Sequence, residues 1–250
     1  MRISANLGFL YADLPMVERI AAAARDGFDA VEFHWPYDTD PDALRAALDT
    51  AGLSGLGLNT RRGDAEGGEF GLGAMPGREA EARAHIEEAI AYAATAGIGA
   101  VHVMAGKADG AEADKVFTEN LAHACALAGQ AGLTVLIEPI NWRDVPGYFL
   151  AGTGQARRIV EQVNRSELRI MYDFYHMQIM QGDHVRCIEE LGDLIGHMQI
   201  ASVPDRAEPD NGELDFAWIF QRTTWRGYVG AEYHPRQPPG EWLSRFRQPR

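Results

Sequence analysis

The stretch TVLIEPIN, residues 134–141, decides how the rest of the chain is read. It opens as an apolar strand, Val135-Leu136-Ile137, and then sets a carboxylate, Glu138, directly before a proline that cannot donate a ladder hydrogen bond. A carboxylate at the end of a buried strand is destabilising unless a cation or hydrogen-bond donors compensate its lost hydration. One such strand is equally consistent with an acid that simply emerges into solvent. A set of strands ending the same way is not.

Working outward, residues 2–9, 30–33, 53–59 and 100–104 read as strands before it, and 168–172, 195–201 and 228–233 after it. Helices are predicted between them over 14–26, 41–51, 79–96, 111–131, 153–163, 183–191, 215–221 and 241–246. The first carries Leu14, Val17, Ile20, Ala21 and Ala24 at helical spacing and stops at Gly27, while Pro41 opens the second. Residues 60–77 are too polar and glycine-rich for an element and form a candidate functional loop. Strict alternation implies a parallel sheet with right-handed crossovers, and eight strand–helix units close into a (β/α)8 TIM barrel spanning residues 1–250 as one domain. A doubly wound dinucleotide fold would carry a glycine-rich turn after its first strand, where this chain has LYADLP.

Composition narrows the function. Apolar residues make up 46% of the chain, and the formal net charge of −13 argues against nucleic acid or an anionic membrane as partner. Cys125 and Cys187 lie far apart with no metal-site spacing, which suits a reducing cytoplasm. The amino terminus does not read as a signal peptide, and no membrane-spanning apolar run occurs. A small-molecule substrate is the expected partner, and a homo-oligomer is compatible with the sequence.

In a parallel barrel all strand carboxyl ends meet on one face, where catalytic residues collect. Those ends read Asn6, Glu32 with His34, Asn59, His102, Glu138, Asp173 with His176, Gln199, and Glu232 with His234. Glu138, Asp173, Gln199 and Glu232 come from successive strands. Three converging carboxylates repel one another without a cation, and with an amide oxygen they form a hard site suited to Mg²⁺ or Mn²⁺.

The stretches SANLGFLY, VEFHWPYD, LNTRRGD, IEPIN, YDFYHMQIMQGD, HMQIASVPDRAEPDNGELDF and GAEYHP together resemble the hydroxypyruvate isomerase family of the xylose-isomerase-like barrels. The resemblance implies that Glu138, Asp173, Gln199 and Glu232 hold the metal, that Glu138 and Glu232 are the catalytic pair moving protons, and that His176 contacts substrate. It implies an aldose–ketose type isomerase that interconverts hydroxypyruvate and tartronate semialdehyde, or a related 2-oxo-tetronate, through an enediolate. Two carboxylates flanking the substrate can exchange roles as base and acid.

A substrate carboxylate calls for an arginine. Arg206, in the better-matched motif, ranks ahead of Arg61, Arg62 and Lys107, and His102 and His34 are candidates for hydrogen bonds to substrate hydroxyls. Trp35, Phe9 and Trp142 are candidate pocket walls, and His234 is a candidate to orient Glu232. Related ketose epimerases carry a glutamate six residues after the first metal glutamate, where this chain has Asp144, which weighs against 3-epimerase chemistry. The rivals are a 3-epimerase or a sugar dehydratase on the same barrel, a DNA-repair endonuclease, which calls for more histidine ligands and a basic face, and a non-catalytic binding protein.

Overall fold

Alternation along each strand sends every second side chain toward the barrel axis and the others toward the helices. The computed structural model describes residues 1–247. Its strands are β1 (Arg2–Asn6), β2 (Ala30–Glu32), β3 (Ser54–Gly55), β4 (Leu58–Asn59), β5 (Ala100–His102), β6 (Thr134–Ile137), β7 (Leu168–Asp173), β8 (Ile195–Ile200) and β9 (Tyr228–Ala231). All pair in parallel, in the order β3-β2-β1-β9-β8-β7-β6-β5-β4. The connecting helices are α1 (Met16–Arg25), α2 (Pro41–Ala51), α3 (Glu79–Ala96), α4 (Gly110–Ala131), α5 (Thr153–Val163), α6 (Phe174–Met180), α7 (His184–Leu191), α8 (Phe216–Phe220) and α9 (Leu243–Arg247).

The strand predicted over 53–59 is split into β3 and β4 around Leu56 and Gly57. Its backbone still bonds on both sides. Leu56 N donates to Val31 O (2.9 Å), Phe33 N to Gly57 O (2.9 Å), and Gly99 N to Gly55 O (3.1 Å). The two ends of the strand order are therefore one continuous segment, and the sheet closes into the predicted TIM barrel. Strands β1, β5 and β9 stop two or three residues short of the predicted limits, β2 and β8 stop one residue short, and β7 runs one residue beyond.

Helix α6 is absent from the sequence reading, which took residues 173–176 as a strand exit. Asp173 ends β7 and caps α6 at once, its Oδ1 accepting from Tyr175 N at 2.8 Å. The glycine-rich segment 60–77 is tied to the barrel rim: Gly73 N donates to Met104 O (3.0 Å) and Ala74 N to Ala105 O (2.7 Å).

Outward-facing Val101, Val135, Ile137, Ile170, Tyr172, Met198, Ile200 and Val229 pack into the main core, while Ala100, Leu136 and Met171 form a separate apolar layer inside the barrel. Two residues beyond that layer on the same inward face stand His102, Glu138 and Asp173. Barrel interiors are usually filled with bulky branched side chains. Here the axis holds a cavity of about 270 Å³, lined by Gly57, Gly99, Gly196 and Tyr228 lower down and by Glu138, Gln199 and Glu232 at the carboxyl ends.

Candidate active site

Each inward position that follows the last apolar residue of its strand is polar, so the buried carboxylates gather where the strands stop. Glu138, Asp173, Gln199 and Glu232 are all buried, and Glu138, Gln199 and Glu232 line the axial cavity. The ligand-type atoms of Glu138, Asp173 and His176 lie within 4.8 Å of one another. Glu138 Oε1, Asp173 Oδ2 and Gln199 Oε1 are buried with no hydrogen-bond partner in the chain. Orphaned buried acceptors cost about 1–3 kcal/mol each, more when charged. Three on one side of the barrel fit a hard cation.

The two glutamates sit in opposite electrostatic surroundings. Burial, then the charges of Glu232 and Asp173, push the Glu138 carboxyl well above the usual carboxylate range. Burial also acts on Glu232, but it is overcome. Arg206 Nη2 donates to Glu232 Oε2 at 3.0 Å and His34 Nε2 lies 2.6 Å from Oε1, so Glu232 is pulled down to about 2. Burial raises Asp173 to about 7, with the Glu232 charge adding to it and Arg206, 3.7 Å away, opposing it. His34 reaches Glu232 because residue 8 is glycine: a β-carbon there would lie 2.0 Å from the His34 ring. The sequence reading gave the orienting role to His234. His234 instead packs against Phe9, with ring centroids 4.2 Å apart.

His176 belongs to the three-residue cluster, yet its proton is on the wrong nitrogen for a ligand. Asp144 N donates to Asn141 Oδ1 (2.8 Å), which fixes the Asn141 amide and turns its Nδ2 to His176 Nδ1 at 2.6 Å. Asn141 N also faces that nitrogen at 3.3 Å. Two donors make Nδ1 the acceptor. Burial, followed by the Arg206 charge, lowers the His176 pKa far enough to keep the ring neutral. The proton therefore sits on Nε2, 3.6 Å from both Glu138 Oε1 and Asp173 Oδ2. Arg206 Nη2, itself a donor, stands 3.4 Å from that nitrogen, but the shorter Asn141 contacts decide the tautomer. His176 thus offers a hydrogen bond rather than a lone pair. Asn141 lies inside TVLIEPIN, and sequence reasoning gave it no role.

His102 faces the same space, with Nδ1 3.1 Å from Asn59 Oδ1 and 3.7 Å from Glu138 Oε2, and burial lowers its pKa to about 3. Arg206 stands over the Phe9 and Tyr175 rings, 5.0 and 4.9 Å from their centroids, and is the cation at the cluster. Arg61 is not brought there. Its guanidinium forms a double hydrogen bond with Glu88 on the surface, at 2.7 and 2.8 Å, over the Tyr37 ring. Arg62 stacks on Trp35 at 4.2 Å, and Lys107 donates to Gly68 O at 2.7 Å. Trp142 is exposed and walls nothing. Asp144 is occupied by Asn141 and by the Tyr175 hydroxyl at 2.9 Å.

The family model for xylose isomerase-like TIM barrels matches residues 20–247. The chain is 45% identical to a 2-oxo-tetronate isomerase of Cupriavidus necator, across 94% of this chain and 93% of that protein. It is 37% identical to a hydroxypyruvate isomerase of Escherichia coli, across 99% and 100%. Its fold is similar to a crystal structure from Brucella melitensis described as an AP endonuclease of family 2, with TM-score 0.94, 38% identity and 99% of each chain covered. Among the described residues no helix is long and apolar enough to cross a membrane.

Proposed function

We propose that this isomerase, which belongs to the xylose isomerase-like TIM barrel family and, within it, to the hydroxypyruvate isomerases, moves the carbonyl of a short 2-oxo acid, hydroxypyruvate or a 2-oxo-tetronate, to the neighbouring hydroxyl-bearing carbon with a divalent cation, Mg²⁺ or Mn²⁺, as cofactor. The observation that carries this reading is the buried pair Glu138 and Glu232, set in one cavity with proton affinities pushed apart.

Glu138, Asp173, Gln199 and Glu232 would hold the cation, and the orphaned oxygens of the first three support that assignment. A bound divalent cation supplies charge stabilisation for the oxygens of an enediolate. For hydroxypyruvate, protons leave C3 and O3 and arrive at C2 and O2, so nothing is oxidised or reduced overall. Glu138, the stronger base of the two, takes the C3 proton and returns it to C2. Glu232, ionised at the start, is the second proton-transfer group and carries the O3 proton to O2, so both glutamates end the cycle as they began it. His176 donates from Nε2 to a substrate oxygen, and His102, buried and neutral, faces the same space. The Arg206 guanidinium meets the substrate carboxylate, and its two stacked rings exclude water on one side.

The AP endonuclease description of the Brucella melitensis structure raises DNA repair as the rival. The net charge of −13 and a single compact cluster of ligand-type side chains among the described residues favour the isomerase. Incubating the protein with 2-oxo acids, free ketoses and abasic-site DNA, before and after chelation and after adding Mg²⁺ or Mn²⁺, separates these readings. Metal-restored turnover of the hydroxylated 2-oxo acids alone is expected. Turnover unaffected by chelation, or cleavage of the DNA, would overturn the proposal.

A further inference from the structure

One buried carboxylate near the site is used by nothing described so far. Glu32 ends β2 and points into the barrel, buried in the wall of the axial cavity. Gln199 Nε2 donates to its Oε2 at 2.9 Å, Ser4 Oγ donates to its Oε1, and His197 Nε2 stands 3.0 Å from Oε1. The glutamate lies against the backbone of β9 at Gly230, where a β-carbon would sit 2.2 Å from Oε1. Gly230 is the register partner of both Gln199 and Ser4. The strands thus build a seat for this side chain.

The seat has a chemical consequence. An amide has one donating and one accepting end, and a carboxylate only accepts. With Nε2 committed to Glu32, Gln199 must present Oε1 the other way, and Oε1 is the buried acceptor that lacks a partner. We propose that Glu32 is a positioning residue that locks the Gln199 amide with its oxygen toward the cation site. The inference rests on the divalent-cation reading above. Without Glu32, either end of the amide can face the site, and the nitrogen end opposes a cation. Partners of this kind typically govern metal affinity by about 10- to 100-fold.

The test is Mn²⁺ titration of the whole protein followed by electron paramagnetic resonance, with thermal unfolding of the metal-free protein recording that each variant folds. Glu32→Gln keeps the shape but replaces an acceptor with an amide, and is expected to weaken Mn²⁺ binding by about 10- to 100-fold. Gly230→Ala, which displaces Glu32 without changing any charge, is expected to act in the same direction. Loss of one negative charge cannot account for Glu32→Gln if the exchange variant Glu32→Gln with Gln199→Glu restores binding: the new amide then donates to the new carboxylate, which still offers an oxygen, and the net charge is unchanged. Wild-type affinity in Glu32→Gln, with affinity lost in Gln199→Ala, would overturn the positioning role and leave the cation site standing. An exchange variant that folds but binds as weakly as Gln199→Ala would also overturn it. A wild-type protein that takes up no Mn²⁺ would remove the cation reading itself.

Discussion

Metal affinity should depend on pH with a slope that the site geometry sets. A carboxyl must lose its proton before it ligates, so any group still protonated in the free protein makes binding compete with protons. Glu232 is held near 2 by Arg206 and His34 and stays ionised at every practical pH, so it contributes no slope. Asp173 is raised to about 7 and Glu138 is raised well above its ordinary range, in both cases with burial as the main cause. The sign follows: lowering the pH fills both sites with protons and weakens binding, and raising it strengthens binding. Each proton displaced is worth about tenfold in affinity per pH unit, or about 1.4 kcal/mol. Below pH 7, where Asp173 is protonated, the fall should be at least about tenfold per unit, and it should steepen further where Glu138 takes up its proton as well. Above that point Asp173 is ionised and the slope should lessen. Calorimetric Mn²⁺ titrations in buffers of different ionisation enthalpy measure affinity and protons released together. Asp173→Asn should remove one proton from the count. An affinity flat between pH 8 and pH 5.5, with no proton release, would refute the reasoning.

Other outcomes test single parts of the site. Glu138→Gln and Glu232→Gln should each lower kcat by at least about 10²- to 10⁴-fold while circular dichroism and the melting profile remain those of a folded barrel; near wild-type turnover in both would remove the catalytic pair. Arg206→Lys keeps the charge but loses the planar fork and the ring stacking, and should raise KM for 2-oxo acids by about tenfold or more. Uncharged ketoses, if turned over at all, should be spared, and an equal effect on both would argue against a carboxylate contact. Arg61→Ala should leave KM and kcat unchanged and cost no more than about 1 kcal/mol in urea unfolding, because its partner Glu88 is a surface residue. A large KM effect there would restore Arg61 to the substrate site.

The barrel was legible because alternation of strand and helix is a long-range pattern that local errors barely disturb. The strand limits were not, because apolar periodicity does not report where ladder hydrogen bonds stop. Residues 53–59 look continuous by composition, yet the bonds of Leu56 and Gly57 fall outside regular strand pairing. Helix α6 had a usable signal in Asp173, an N-cap residue three positions before the histidine, but the same aspartate was already read as a strand end. At the site, residue type and strand-end position brought out Glu138, Asp173, Gln199 and Glu232, and its place in the better-matched motif brought out Arg206. Partner choice was invisible. Nothing in spacing distinguishes Arg206, inside the cluster, from Arg61, spent on Glu88. The tautomer of His176 depends on Asn141, whose amide is fixed by a turn through Asp144. The seat of Glu32 depends on a glycine nearly two hundred positions away in sequence, joined to it only by closure of the barrel.

The most direct measurement is anomalous diffraction from a crystal soaked with Mn²⁺ and hydroxypyruvate. One Mn²⁺ peak bounded by oxygens of Glu138, Asp173, Gln199 and Glu232, with the substrate carboxylate on Arg206 and His176 Nε2 directed at a substrate oxygen, is the expected result. A peak ligated by His176 Nε2 in place of Gln199, or a cation bound away from the strand ends altogether, would contradict the account.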